Sequence, residues 1–155
     1  MKILLLFVAK TRDSYIREGM NDYLKRLGHY AAVDVHEVPA VRAKGDAKSI
    51  MRAEWEALEK QLQPGDVLVL LDERGDRFTS LKFAEFLEKR MNAGPKRLVF
   101  AVGGAFGFSP EAYQRAQHLV RLSDMTFSHQ MIRLFLTEQI YRAWTILKNE
   151  SYHHE

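Results

Sequence analysis

Apolar and polar positions along this chain fall into alternating blocks. Ile3 to Ala9 is an unbroken apolar run, the pattern of a strand buried on both faces of a sheet. Thr11 to Ser14 are polar and can cap a helix in which Ile16, Met20, Tyr23 and Leu27 recur at helical spacing, with Gly28 placed to end it. Val33 to Val38 alternates apolar with polar, as a half-buried or edge strand does, and Pro39 closes it. A polar, basic loop from Val41 to Asp46 leads into a helix predicted over Ala47 to Leu62. Its apolar side is thin (Ile50, Ala53, Ala57, Leu62) and its charged side broad, which places it on the surface.

Gln63 to Asp66 is a turn, and Val67 to Leu71 is a second fully apolar run ending at Asp72. Glu73 to Arg77 reads as a charged loop with a flexible glycine. Thr79 or Ser80 can cap a helix that carries Phe83, Phe86, Leu87 and Met91 on one side, and Asn92 to Pro95 stops it. Leu98 to Val102 is the third apolar strand. Ser109-Pro110-Glu111 is a strong helix start, with an N-cap serine, proline at the first helical position and an acid in the first turn. That helix is predicted to end near His118 to Leu119, a short strand comes next, and the last helix runs from about Gln130 to Lys148.

Strand and helix alternate throughout, which predicts an α/β fold: a mainly parallel five-stranded sheet with helices on both faces and the polar second strand at an edge. The 155 residues fit one domain, 1–155, with no repeat or linker. Hydrophobic residues make up 46% and charged residues 28%, an ordinary balance for a globular protein, so a packed core is expected. No cysteine is present, which excludes disulfides and thiolate metal sites. The first apolar run is too short for a signal-peptide core, and none approaches a membrane span, so a cytoplasmic location without membrane attachment is the expectation. A net charge of +3 and a pI near 9.2 mildly favour a polyanionic partner.

Three places can carry chemistry. Gly103-Gly104-Ala-Phe-Gly107 follows a central strand, and ligands in open α/β sheets bind beyond the carboxyl ends of strands. Glycines there allow close backbone approach, although a tight strand-to-helix turn needs them equally. The spacing is neither Gly-x-Gly-x-x-Gly nor a P-loop with its lysine. Asp124 falls about twenty residues on, where dinucleotide folds keep a ribose-binding acid, but the turn follows the fourth strand rather than the first. Leu71-Asp72 ends another central strand, on the same sheet edge as Gly103 if the sheet is parallel. The last helix is apolar almost all round its wheel, so it must be buried on more than one side, and in so short a chain the second side is read as another subunit. Glu138 and Arg142 stand at the i, i+4 spacing of a helix ion pair, and an arginine near such a seam can hold phosphate. None of the six histidines forms a His-x-x-x-His pair on a helix, so no metal is expected. The terminal Tyr152-His153-His154-Glu155 reads either as a solvated tail or as groups able to handle protons and stack on a base.

Taken together, several motifs resemble one family. They are Gly103-Gly104-x-x-Gly107-Phe-Ser, Leu122-Ser-x-Met-Thr-Phe-x-His129-Gln-Met-x-Arg133, Glu138-Gln-x-Tyr141-Arg142-Ala, and the ending Tyr152-His153. This combination, over the full length, is similar to the bacterial 23S rRNA pseudouridine N3-methyltransferases of the SPOUT (α/β-knot) superfamily. The resemblance implies a C-terminal deep trefoil knot, an exception to the rule that chains are unknotted. It implies S-adenosylmethionine bound by Leu71, Gly103 and the segment Leu122, Ser123, Asp124, Met125, Thr126 and Phe127. It further implies a homodimer with the terminal helix in the interface, and methylation of N3 of pseudouridine 1915 of 23S rRNA on the assembled ribosome. Ser128 stands where the family usually has proline, which implies a looser turn with its ligand contact kept.

On that reading His153 handles a proton, Tyr152 stacks on or orients the base, and Arg142 meets a substrate phosphate or the enolate-like oxygen, with Arg133 as a further candidate. A rival of another class is a small nucleotide-binding oxidoreductase. Two more rivals are methylation of another RNA nucleotide and a non-enzymatic ribosome-associated binding module.

Overall fold

The computed structural model describes residues 1–42 and 45–154; Ala43 and Lys44 of the basic loop and Glu155 of the tail lie outside the described residues. Ten elements succeed one another: β1 (Lys2–Val8), α1 (Ser14–Leu27), β2 (Val33–Val38), α2 (Ala47–Glu59), β3 (Val67–Arg77), α3 (Ser80–Asn92), β4 (Arg97–Val102), α4 (Pro110–Arg115), β5 (His118–Arg121) and α5 (Met131–Leu147). The strands form one sheet in the order β2-β1-β4-β3-β5, and every pairing is parallel. The polar strand β2 lies at an edge, as its alternation predicts.

Burial on both faces explains why the central strands lack alternation. Ile3, Leu5, Phe7, Val69, Leu98, Phe100 and Val102 pack on one side against α1, α3 and α5. Leu4, Leu6, Val8, Leu68, Leu70, Val99 and Ala101 pack on the other against Trp55 and Leu58 of α2 and Ala112 of α4. At about 25 cal/mol per Å² of apolar surface, these two layers supply most of the drive to fold.

Four local expectations need correction. Helix α2 stops at Glu59 and buries Glu54, Trp55 and Leu58 rather than the side on Ile50, Ala53, Ala57 and Leu62. Helix α4 stops at Arg115, and His118 to Arg121 form a strand instead, because Gln117 turns the chain into the sheet by donating its backbone N–H to Leu68. The segment Glu73–Arg77 is not a free loop: β3 continues through it with a shift of register, both Leu71 and Asp76 pairing with Val120. Gly75 there is not a hinge. A Cβ on it would lie 2.6 Å from the backbone carbonyl carbon and nitrogen of Val120, so glycine is needed for close approach.

Helix α5 is flanked by α1 on one side and α3 on the other while its inner face meets the sheet. Its apolar wheel is therefore covered on three sides within the chain, and the wheel alone does not demand a second subunit. Of the expected side-chain caps, Thr79, rather than Ser80, accepts from the Lys82 N–H, whereas neither the polar residues before α1 nor Ser109 before α4 makes a side-chain cap bond; Asp46, read only as part of a loop, accepts from the Ser49 N–H.

Candidate active site

Parallel strands deliver their carboxyl ends to one edge of the sheet, and three of those ends frame a single cleft of about 790 Å³. Its walls are Leu71 to Arg74 after β3, Val102 to Phe108 after β4, and Val120 to His129 after β5, with Tyr113 and Ile132 from the helices. All eight residues expected at a cofactor line it: Leu71, Gly103, Leu122, Ser123, Asp124, Met125, Thr126 and Phe127. The volume lies in the range of small-molecule sites.

Glycine chemistry shapes the middle wall. Gly104 and Gly107 close a tight turn through the Gly107 N–H to Gly104 carbonyl bond of 3.1 Å, and Gly107 takes φ of +80°. A Cβ on Gly103 would lie 3.2 Å from the Gly107 carbonyl oxygen. Behind the turn stands Glu54, which sequence reading missed. Its side chain is buried, and a Cβ on Gly104 would fall 2.3 Å from its Oε1. Burial pushes its carboxyl upward, opposed by the Gly104 backbone N–H. A signal was available, since Ile50, Glu54 and Leu58 lie on one helical face with the acid in its centre.

Asp72 anchors the first wall. It accepts from the Tyr113 hydroxyl and, at 2.8 Å, from the Arg74 N–H, while the Arg74 guanidinium lies 4.4 Å from the Tyr113 ring centre. Burial, then the bond to Asp72, raises the Tyr113 phenol to about 12, so it stays protonated at neutral pH. In the third wall Ser123 Oγ accepts from the Met125 N–H at 3.0 Å. Asp124 pairs with Arg77 at 2.6 Å and Arg121 at 3.5 Å, so the acid at the ribose-binding spacing is already engaged. His129 also faces the cleft; burial first, then the charges of Arg133 and Arg12, lower its imidazole and keep it neutral at pH 7. The Ser128 hydroxyl accepts from the Met131 N–H at 3.1 Å, a bond that a proline ring cannot make.

The three residues expected to be catalytic are brought together, but not in the cleft. Arg142 donates to Glu138 Oε1 at 2.7 Å and 3.1 Å, stands 3.2 Å from His153 Nδ1, and lies 4.7 Å from the Tyr152 ring centre. Tyr152 donates to the same Glu138 oxygen at 2.9 Å and meets the Tyr23 hydroxyl at 3.1 Å. Burial, then these bonds, push the Tyr152 phenol upward. The tail is thus docked along α5 rather than frayed, with Glu150 accepting from the Tyr30 hydroxyl further along. A guanidinium only donates, so in neutral His153 the proton sits on Nε2, which is buried and has no partner. Ile132 in the cleft and Arg142 in the cluster are ten residues apart on one helix, about 15 Å at 1.5 Å per residue.

Arg133, read from sequence as a possible substrate contact, is fully buried. It donates to the carbonyls of Val8 at 2.6 Å, Ala9 at 2.9 Å and His129 at 3.0 Å, and to Thr11 Oγ1 at 3.0 Å. Burial lowers it to about 10, so it remains charged at neutral pH. It ties α5 to the end of β1 and does not reach the surface. Among the described residues no cluster of three or more His, Asp or Glu side chains is disposed to hold a metal, and no helix is long and apolar enough to cross a membrane.

Comparison with known proteins agrees with this geometry. A family model described as a predicted SPOUT methyltransferase matches residues 1–153. The chain is 51% identical to a protein of Parabacteroides distasonis named ribosomal RNA large subunit methyltransferase H, over 100% of both chains. Proteins of the same name from Trichlorobacter lovleyi and Cytophaga hutchinsonii are 48% and 45% identical, each over 99% of this chain and 100% of theirs. A solved structure of a probable methylase family protein from Haemophilus influenzae Rd KW20 superposes with a TM-score of 0.53 over 99% of this chain and 70% of that one; at 9% identity it speaks for the fold alone. With a five-stranded parallel sheet, a cleft at its carboxyl edge and these matches across its whole length, the chain belongs to the SPOUT methyltransferase family.

Proposed function

We propose that this protein methylates ribosomal RNA, using S-adenosylmethionine in the three-walled cleft, and that the acceptor is N3 of pseudouridine 1915 of 23S rRNA on the assembled ribosome. The observation that carries the reading is the convergence of Leu71, Gly103 and Leu122 to Phe127 on one cleft, in a chain 45–51% identical to relatives named for rRNA methylation. The residues present fit the cofactor. Glycines 103, 104 and 107 bring backbone to the surface of one wall, and Leu71, Leu122 and Ile132 offer apolar surface. When bound, S-adenosylmethionine supplies a methyl group activated by its sulfonium.

The protein's own task is then to hold the acceptor nitrogen in line and to take its proton. Arg142 moving from His153 onto a substrate phosphate would free Nδ1, whose lone pair accepts the N3 proton as the nitrogen takes the methyl group. Tyr152 orients the tail through Glu138 and Tyr23. Its ring is already met by Arg142 and by the edge of Tyr141, 4.8 Å away, which favours orientation over base stacking.

Within one chain the cluster lies too far along α5 to serve the cleft, which supports a homodimer in which one protomer's tail completes its partner's site. Apolar surface beside the cleft supports the same reading: Phe106, Met125 and Phe135 are 54%, 77% and 41% exposed, and Phe135 stacks on Phe127 at 4.6 Å. The deep trefoil knot belongs to this proposal too, supported by the match of residues 1–153 to the SPOUT methyltransferase family. A cytoplasmic site of action accords with a ribosomal substrate.

His153→Ala tests the assignment of roles. Methyl transfer should fall by about 100-fold or more, the usual worth of a positioned proton acceptor, while cofactor affinity stays within about twofold. Radiolabel transfer and calorimetric titration read the two separately. Equal loss of both, or no loss of transfer, would remove His153 from the chemistry.

A further inference from the structure

Of the two buried acids among the described residues, Asp66 is paired with Arg97, and Glu54 has no cation partner. It projects from α2, the helix on the opposite face of the sheet from α5, and is 8% exposed. Its Oε2 has no hydrogen-bond partner among the described residues, and the Gly104 backbone N–H is the group that opposes the upward push of burial on its carboxyl. The fit is close enough that any Cβ on Gly104 would strike Oε1 at 2.3 Å and Oε2 at 2.7 Å, so the missing side chain at Gly104 is what admits the carboxylate. The other side of Gly104 faces the cleft. A carboxylate kept buried without a cation costs folding free energy, and apolar residues would fill the same space more stably. Its neighbours on the helix, Trp55 and Leu58, do pack in the apolar layer.

We propose that Glu54 is a positioning and charge-selecting residue of the cleft: from behind Gly104 it sets the Gly103–Gly107 turn and favours the cationic methyl donor over its neutral product. The inference rests on the reading of the cleft as an S-adenosylmethionine site. The donor carries a sulfonium that its demethylated product, S-adenosylhomocysteine, lacks, so the two differ by one positive charge at nearly constant shape. A fixed negative charge one backbone layer behind the wall acts in a medium of low dielectric, where it discriminates between them more strongly than a surface acid would. Product would leave more easily, because the attraction disappears once the methyl group has moved.

Calorimetric titration of the full-length protein with each of the two compounds at pH 8.5 tests this. In Glu54→Gln, which keeps the size and removes the charge, the ratio of product Kd to donor Kd should fall about tenfold or more, a lower bound for the attraction of one unit charge for another through a layer of protein. Glu54→Asp retains the charge and should keep the wild-type ratio even if both ligands bind more weakly. It is also the arm that decides if the glutamine variant does not fold. An unchanged ratio in Glu54→Gln, or an equal fall of the ratio in Glu54→Asp, overturns the inference while leaving the cofactor reading intact. Failure of the wild-type protein to bind either compound would overturn that reading, and this inference with it.

Discussion

Replacing Arg133 with methionine is expected to lower stability by about 3–5 kcal/mol, a large share of what a domain of this size possesses. Methionine fills similar space, so the loss is not mainly one of volume. The guanidinium satisfies three backbone carbonyls and the Thr11 hydroxyl, and it stacks 4.8 Å from the Phe7 ring centre. Removing it leaves those acceptors buried and unpaired, each costing about 1–3 kcal/mol before relaxation. One of them belongs to Ala9, a non-glycine residue at φ 65°, so the turn at the end of β1 loses the group that holds it in a left-handed conformation. Nearby, Glu37 accepts from the Thr11 N–H and lies 3.6 Å from Arg133, and it would lose its counter-charge. Urea denaturation gives the value directly. A change under about 1 kcal/mol would mean that Arg133 is not the tie between α5 and β1.

A second large effect is expected at Gly75→Ala. The new methyl group would meet backbone, not a side chain: Val120 N and C at 2.6 Å and Leu119 C at 2.7 Å. Neither strand can retreat without parting the β3–β5 ladder, so the loss should be about 3 kcal/mol or more, at the upper end for overpacking. The same shift would spread the cleft, since Asp72 to Arg74 and Val120 to Leu122 form adjoining walls, so cofactor affinity should fall along with stability. Gly65→Ala is the matched control. Gly65 has φ of +86° with nothing within 4 Å of the added atom, so only backbone strain of about 1–2 kcal/mol is expected there. Equal effects at the two positions would show that close approach to β5 is not what Gly75 provides.

The features legible in the chain before its fold was known are those set by physics that is local in sequence. Strands buried on both faces announce themselves as unbroken apolar runs, and β1, β3 and β4 were legible for that reason. Strand β2 declared its edge position by alternation. The walls of the cleft were legible because their glycines and strand ends adjoin in sequence the elements that position them. Residues whose roles depend on distant partners were not. Glu54 looks like surface charge until Gly104 is brought against it, and Arg133 looks like a substrate arginine until the end of β1 folds over it. Gly75 reads as flexibility because the β5 backbone that excludes a side chain lies 44 residues on, from Gly75 to Leu119. The tail was ambiguous because its order depends on Glu138, Arg142 and Tyr23, which composition at the terminus does not disclose.

The most direct test of the proposed function is transfer of a labelled methyl group. The purified protein, S-adenosylmethionine with a labelled methyl group, and ribosomes from cells lacking this modification would be incubated together. The rRNA would then be digested and its modified nucleosides identified by mass spectrometry. The expected result is one labelled nucleoside, N3-methylpseudouridine, from the position 1915 stem-loop of 23S rRNA. Label on a different nucleotide would contradict the substrate assignment, and no label in any rRNA would contradict the proposed function as a whole.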